Sequence, residues 1–210
     1  MISIIIPAYN EEKTIGILID QIRETLQTKH EIIVIDDAST DHTPEISRNK
    51  KVILLQHTHR TKGDVLPALK IVKGDIIVRM DADLEHDPHD IPKMIKYLQE
   101  HHLDLVLGKR QEFSRKIEYV MKWLYQPPVE DFFTGYVVFS RKLLPLALKL
   151  GSTPLYWELP LLALKYNFKI GEVNVRYVRR KDKPRLGGEF WGGIRAWRLF
   201  LKCRRKIKKL

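Results

Sequence analysis

Short apolar runs alternate with longer amphipathic stretches through the first half of the chain, and this alternation limits the fold more than any other feature. Ser3 to Ile6, Glu31 to Ile35, Val52 to Leu55, Ile76 to Met80 and Leu103 to Leu107 each read as a short strand. Between the first two, Glu11 to Leu26 carries Ile15, Leu18, Ile19, Ile22 and Leu26 on one helical face, with Asn10 as a candidate cap. Thr43 to Arg48, Asp64 to Val72 and Pro88 to Glu100 read as further helices; Gly74 breaks the third and Pro88 opens the fourth. Strands alternating with helices predict an α/β fold, a mostly parallel central sheet with helices on both faces. Beyond Gly108 the pattern is less regular. Helices are expected over Ser114 to Tyr125, Arg141 to Lys149 and Tyr156 to Tyr166. Strands are expected over Gly135 to Ser140 and through Val173, Val175 and Tyr177. The 210 residues and 44% apolar content suit one domain with an appendage.

The appendage is marked by charge. Residues 179–210 hold 13 Lys and Arg against 2 Asp and Glu, a net of +11, which is the excess of the whole chain. Residues 1–178 are neutral and form the expected catalytic domain. Within the tail, Phe190, Ile194, Trp197 and Leu201 share one helical face, widened by Trp191 and Phe200. Arg195, Arg198, Lys202, Arg204, Arg205 and Lys206 fill much of the rest. A basic amphipathic C-terminal helix of this kind suits an anionic membrane surface, the packing of that face on the domain, or a membrane-protein partner. No apolar run is long enough to span a bilayer, and the start of the chain reads as a strand rather than a leader. A single cysteine, Cys203, excludes an internal disulfide and suits a reducing, cytoplasmic setting.

The chemistry gathers where strands end. Asp81-Ala82-Asp83 follows the apolar run Ile76 to Met80, and Glu85 and Asp87 come close behind. Two carboxylates two residues apart on extended backbone project to one side and repel unless a cation joins them. The alternative is a solvated acidic turn before Pro88. The first strand ends in Pro7-Ala8-Tyr9-Asn10-Glu11, where a tyrosine can stack on a base. The second ends in Asp36-Asp37, where a carboxylate suits a ribose or a base edge. Lys62-Gly63 is a weaker signal for a phosphate. No glycine-rich phosphate loop follows the first strand, so neither the dinucleotide fingerprint nor the P-loop is present. Phosphate recognition is left to a cation and to basic side chains. His57, His59, His101 and His102 lack zinc-ligand spacing.

Taken together these blocks resemble the family-2 glycosyltransferases of the GT-A fold, and within them the polyprenyl-phosphate enzymes of the dolichol-phosphate mannose synthase type. The resemblance runs from Ser3 to Glu11, through Ile33 to Asp41, to Gly74-Asp75-Ile76 and Met80 to His86. Gly108-Lys109-Arg110 and Asp131 to Tyr136 are similar to later segments of the family. It implies that Pro7, Tyr9, Glu11 and Asp36 contact the nucleoside, with Asp37, Lys62 and Asp81 completing the nucleotide site. Asp81, Asp83 and Glu85 are then the candidate ligands for Mg²⁺ or Mn²⁺, where Glu85 stands at a position the polyprenyl-phosphate enzymes often fill with glutamine. The family's late arginine motif is absent as such, and Arg179, Arg180 and Arg185 lie in its place.

The expected activity is inverting transfer of a mannose- or glucose-type sugar from a GDP- or UDP-linked donor to a polyprenyl (dolichyl) phosphate, by a protein peripheral on the cytoplasmic face of a membrane. Asp83, Asp131 and Arg110 are the candidate catalytic residues. A lipid phosphate is already an anion and needs no base, only cations such as Arg110, Arg179, Arg180 and Arg185. A hydroxyl acceptor needs a base, and Asp131 is the candidate. A nucleotidyltransferase lacks its basic glycine loop here. A nucleic-acid-binding module is disfavoured by the neutral body and acidic strand ends.

Overall fold

The computed structural model describes residues 1–110, 128–151, 153, 155, 158–178, 201, 203–208 and 210. Seven strands form one sheet: β1 (Ile2–Ala8), β2 (His30–Asp36), β3 (Ile53–Gln56), β4 (Ile76–Arg79), β5 (Leu105–Lys109), β6 (Val137–Ser140) and β7 (Ile170–Asn174). Their order across the sheet is β3-β2-β1-β4-β6-β5-β7. β1 pairs parallel with β2 and β4, β2 with β3, and β5 with β7. β6 runs antiparallel to both of its neighbours, β4 and β5. The mostly parallel sheet is therefore as expected, with one reversed strand that periodicity does not reveal.

Alternation along the strands divides the core in two. Ile4, Ile6, Ile32, Val34 and Val78 meet α1 (Ile15–Thr25) through Leu18, Ile19 and Ile22, and α4 (Ile91–Glu100) through Ile91, Met94 and Leu98. Ile5, Ile33, Ile35 and Ile77 meet α3 (Leu66–Leu69), α5 (Leu144–Lys149) and α6 (Glu158–Lys165). Burial on both faces is why β1 reads as an unbroken apolar run instead of an alternating one. The remaining helix, α2 (Thr43–Asn49), follows β2 with Pro44 in its first turn.

Several boundaries differ from the sequence reading, each for a local reason. α1 starts at Ile15, not Glu11, and Asn10 is not its cap. Asn10 adopts φ 52° and accepts the Thr40 N–H on Oδ1 at 2.9 Å, while its own N–H donates to Ser39 Oγ at 2.9 Å. It stitches the loop after β1 to the loop after β2. α3 is one turn only, and Asp64 Oδ1 accepts both the Leu66 and Thr153 N–H groups at its entry. The helices expected at Pro88 and Arg141 open with 3₁₀ turns, Pro88–Asp90 and Arg141–Leu143. β7 ends at Asn174; Tyr177 instead forms an isolated bridge with His86. The helix expected over Ser114 to Tyr125 lies outside the described residues. So do Arg179, Arg180, Arg185 and the tail residues Phe190, Trp191, Ile194, Trp197 and Phe200.

The described end of the tail packs on the domain. Residues 203–208 are helical, Cys203 and Ile207 are buried in the core beneath α6, and Leu201 packs against it. Lys165 Nζ donates to the Ile207 carbonyl at 2.7 Å. Among the described residues no helix is long and apolar enough to cross a membrane.

Gly74, between α3 and β4, shows how tightly β1 and β4 are joined. A Cβ there would lie 2.6 Å from Ser3 N and 2.9 Å from Ile2 C. Gly74→Ala is expected to destabilise the fold by about 1–3 kcal/mol through overpacking against backbone. Urea denaturation reads this directly, and an unchanged midpoint contradicts it.

Candidate active site

The nucleoside side is built at the carboxyl ends of β1 and β2. Pro7 and Ala8 close β1, and Tyr9 and Glu11 follow in the loop. Glu11 is buried; its N–H donates to Thr43 Oγ1 at 2.8 Å and its Oε2 accepts from Thr14 Oγ1 at 3.1 Å. Asp36 ends β2, with Oδ1 accepting the Ser39 N–H at 3.2 Å and Oδ2 accepting from Gln56 Nε2 at 3.3 Å. Asp37 is buried and organises the next loop. It accepts the Thr61 N–H at 2.7 Å, Thr61 Oγ1 at 2.6 Å and the Gly63 N–H at 3.1 Å, and pairs with Arg60 Nε at 3.2 Å. Burial opposes its charge, but the Thr61 and Gly63 hydrogen bonds and Arg60 outweigh burial and hold its carboxyl below the ordinary range. Lys62 is carried on that loop, exposed and at φ 66°. Arg60 Cζ sits 3.3 Å from the Tyr9 ring centroid, a cation–π contact on the ring expected to stack on a base.

The acidic loop follows β4. That strand ends at Arg79, so Asp81 and Asp83 stand in the turn beyond it and not on the extended backbone expected. Arg79 is fully buried; Nη1 donates to the Gly135 carbonyl at 2.7 Å and Nη2 lies 2.8 Å from Asp81 Oδ1. Ala82 is buried between the two acids. Leu84 is held at φ 60°, a strained conformation for a branched residue, and the Glu85 N–H then donates to Asp83 Oδ1 at 3.2 Å. Burial raises the Asp81 carboxyl, and the charge and hydrogen bond of Arg79, with Arg110 beyond, more than reverse this, so Asp81 stays below the ordinary range. Asp83 goes the other way. Burial, then the charges of Asp81, Glu85 and Glu11, push it up to about 7.

This donor set fits a hard divalent cation. Asp83 carries an elevated pKa because it is buried and because acids crowd it, and a divalent charge would relieve that crowding. Among the described residues no three His, Cys, Asp or Glu side chains are set as a ready-made metal cluster. Asp81 and Asp83 are the side chains that would hold such a cation, with a diphosphate and water to complete its shell. Glu85 turns its Oε2 to the Tyr177 phenol, which donates at 2.9 Å.

The third side lies at the end of β5. Arg110 and Asp131 are both buried and joined to each other: Arg110 Nε donates to Oδ2 at 2.7 Å, Nη2 to Oδ1 at 2.8 Å and its N–H to Oδ2 at 3.0 Å. This bidentate pairing occupies both Asp131 oxygens. Glu172 on β7 accepts the Glu130 N–H at 2.6 Å and the Asp131 N–H at 3.3 Å. The Arg110 guanidinium lies 5.7 Å from the Tyr177 ring centroid. His86 is buried between Tyr136 and Tyr177, at 5.0 and 5.3 Å, and burial lowers its pKa to about 4, so its ring is neutral.

The fold therefore gathers Pro7, Tyr9, Glu11, Asp36, Asp37 and Lys62 on one side and Asp81, Asp83, Glu85, Arg110 and Asp131 on the other. Arg60, Arg79, His86 and Tyr177 escaped the sequence reading. Arg79 had a signal, a lone charge inside an apolar strand two residues before Asp81. Arg60 and Tyr177 had none. A cavity of about 600 Å³ lined by Met1, Leu26 and Ile95 lies at the opposite edge of the sheet, away from these residues.

A sheet of this topology with acids at its carboxyl edge defines the GT-A class of nucleotide-sugar transferase folds. The model of "Glycosyl transferase family 2" matches residues 3–142, and the chain belongs to that family. A dodecaprenyl-phosphate galacturonate synthase of Rhizobium johnstonii is 24% identical over 95% of this chain and 64% of its own length. A dolichol-phosphate mannosyltransferase of Pyrococcus furiosus is 37% identical over 56% of this chain and 35% of its own. The chain thus spans between about a third and two thirds of the length of these curated relatives. Among solved structures, glucosyl-3-phosphoglycerate synthase of Mycobacterium tuberculosis with phosphoglyceric acid superposes with a TM-score of 0.78 at 20% identity, covering 97% of this chain and 79% of that one. The same enzyme with Mn²⁺, UDP-glucose and phosphoglyceric acid gives 0.75 at 20% identity, covering 97% and 79%. At such identity the likeness establishes the fold.

Two predictions follow from the acids. The folded-state pKa of Asp83, about 7, lies above its ordinary 3.8. The folded, metal-free protein therefore binds the extra proton, and this group's contribution to stability falls as pH rises between those values. Cation binding must displace that proton, so Mn²⁺ affinity should rise about tenfold per pH unit up to neutrality and then level off. Asp83→Asn should lack both slopes, and calorimetric titration across pH tests it; identical slopes in the variant contradict the assignment. Arg110→Ala leaves the buried Asp131 without its guanidinium and should cost about 3–5 kcal/mol, most of it recovered by adding Asp131→Asn.

Proposed function

We propose that the protein is a metal-dependent inverting glycosyltransferase that moves a hexose from a nucleoside-diphosphate sugar to a polyprenyl phosphate. The observation that carries this reading is the Asp81/Asp83 pair at the carboxyl edge of β4, one acid kept ionised by buried Arg79 and the other raised to about 7 by burial and by its acidic neighbours. Bound Mg²⁺ or Mn²⁺ would be held by Asp81 and Asp83 and would neutralise the charge that develops on the departing diphosphate. Tyr9, Glu11 and Asp36 orient the nucleoside, and Lys62 on the Asp37-organised loop meets the phosphates. Arg79 and Arg110 bring positive charge to the acidic loop, where negative charge builds on the leaving group.

Asp131 bears on the acceptor. Fully buried and with both oxygens engaged by Arg110, it is poorly suited to take a proton from a sugar hydroxyl. A lipid phosphate monoester arrives as an anion and needs no such base: its oxygen attacks the anomeric carbon as the bond to the diphosphate breaks. The Rhizobium and Pyrococcus relatives, a dodecaprenyl-phosphate galacturonate synthase and a dolichol-phosphate mannosyltransferase, support the same acceptor class. So does the net +11 of residues 179–210, which suits an anionic membrane surface, reached from the cytoplasmic face, or a membrane-embedded partner. On this reading Arg179, Arg180 and Arg185 meet the acceptor phosphate.

Thermal-shift measurement with each nucleoside diphosphate, with and without Mn²⁺, should give stabilisation by one base that requires the metal. Transfer of labelled sugar to a short polyprenyl phosphate should then fall by roughly 10²-fold or more in Asp83→Ala. No stabilisation by any nucleotide, or transfer to hydroxyl acceptors alone, overturns this reading.

A further inference from the structure

We propose that Glu172 is a positioning residue for the acceptor side of the site: its carboxylate fixes the backbone that presents Asp131, and through Asp131 it fixes where the Arg110 guanidinium meets the acceptor phosphate. This rests on the reading of a polyprenyl phosphate as acceptor, with Arg110 among the cations that receive it.

The sheet order sets the geometry. β5 lies between β6 and β7, and its Leu107 is in register with Val137 on one side and Glu172 on the other. Arg110 is the residue that follows β5. The chain from Glu130 to Tyr136 leads into β6, while Glu172 on β7 holds its start, so this segment crosses the carboxyl end of β5 from one flanking strand to the other. Its far end is pinned twice. The Gly135 carbonyl accepts from buried Arg79 Nη1 at 2.7 Å, and the Tyr136 carbonyl accepts the Gly108 N–H at 2.8 Å. At its near end, Glu172 Oε2 accepts two successive N–H groups, from Glu130 at 2.6 Å and from Asp131 at 3.3 Å. Lys109 Nζ adds a tie there, to Glu130 Oε2 at 2.9 Å.

Two consecutive amides aimed at one oxygen make the kind of concavity with which backbone binds an anion. Glu172 supplies that anion from within the fold, so the amides are committed to holding the segment. The Asp131 carboxylate is then carried at a defined place, and Arg110 binds it through Nε, Nη2 and its own N–H. A guanidinium gripped by both oxygens of a fixed carboxylate has one plane and one orientation. Both side chains are buried, so a shift of the Asp131 backbone by about 1 Å is passed to the charge that meets the phosphate. Charge alone predicts the opposite outcome. Glu172 is an anion near a site for an anion, and by electrostatics alone its removal tightens phosphate binding.

Calorimetric titration with citronellyl phosphate, a short prenyl phosphate, and separately with Mn²⁺ distinguishes the two. Glu172→Ala removes the charge and the hydrogen-bond acceptor. Glu172→Met does the same while keeping the length of the side chain, and serves if Glu172→Ala does not fold. Glu172→Gln removes the charge but keeps an oxygen that accepts both amides. Glu172→Ala and Glu172→Met should weaken citronellyl phosphate binding roughly fivefold to tenfold, leave Mn²⁺ affinity unchanged and speed hydrogen exchange at the Asp131 amide. Glu172→Gln should bind citronellyl phosphate at least as tightly as the parent. Equal losses in Glu172→Gln and Glu172→Ala overturn the proposal, as does tighter binding by Glu172→Ala, or a loss of Mn²⁺ affinity in step with that of the phosphate. A parent that binds Mn²⁺ but no citronellyl phosphate overturns the polyprenyl-phosphate reading and this proposal with it. A parent that binds both, with Glu172→Ala unchanged, overturns this proposal alone.

Discussion

The buried guanidinium of Arg79 is the contact on which the site depends. A charge with no exposure must be paired or it unfolds its surroundings, and Arg79 is paired twice, to the Gly135 carbonyl and to Asp81. The first pairing locks the end of β4 to the approach of β6, the reversed strand. The second fixes one acid of the Asp81/Asp83 pair and keeps it ionised. Asp83, two residues on, is pushed up to about 7 by burial and then by the charges of Asp81, Glu85 and Glu11. One buried cation holds Asp81 below the ordinary range while burial and neighbouring acids raise Asp83, so two chemically identical side chains are pushed in opposite directions.

On either side of that pair the loops are held by polar stitching instead of by apolar packing. Asn10 ties the β1 loop to the β2 loop, and Asp37 gathers Thr61, Gly63 and Arg60 around one carboxylate. Across the site, Arg110 and Asp131 neutralise each other in a buried bidentate pair, with Glu172 holding the backbone that carries Asp131. Each arrangement replaces the flexibility of a loop with a defined position for a charge, which is what catalysis by electrostatic stabilisation needs.

Much of this was legible in the chain. The central strands and the helices α1 and α4 follow from apolar runs and helical spacing, because burial on one or two faces leaves a periodic mark. The acids at the ends of β1, β2 and β4 were legible because a parallel sheet collects ligands at one edge. What periodicity missed was direction and partnership. Nothing in Val137–Ser140 says that the strand runs backwards, since an apolar strand reads alike in both senses. Asn10 looks like a cap until its side chain is seen reaching Thr40, thirty residues away. Asp131 looks like a candidate base until Arg110 is seen to occupy both its oxygens.

The sequence by itself determined the fold class, the sheet edge where the chemistry gathers and the side chains available there, because hydrophobic period and residue type are local properties. Only the tertiary structure decided what state those side chains are in. Asp81 differs from Asp83 because of Arg79 and the neighbouring acids, and Glu85 Oε2 accepts from the phenol of Tyr177, ninety-two residues along the chain. Charge state and orientation are set by through-space neighbours in a poorly solvated environment, and those neighbours are adjacent only after the sheet has formed.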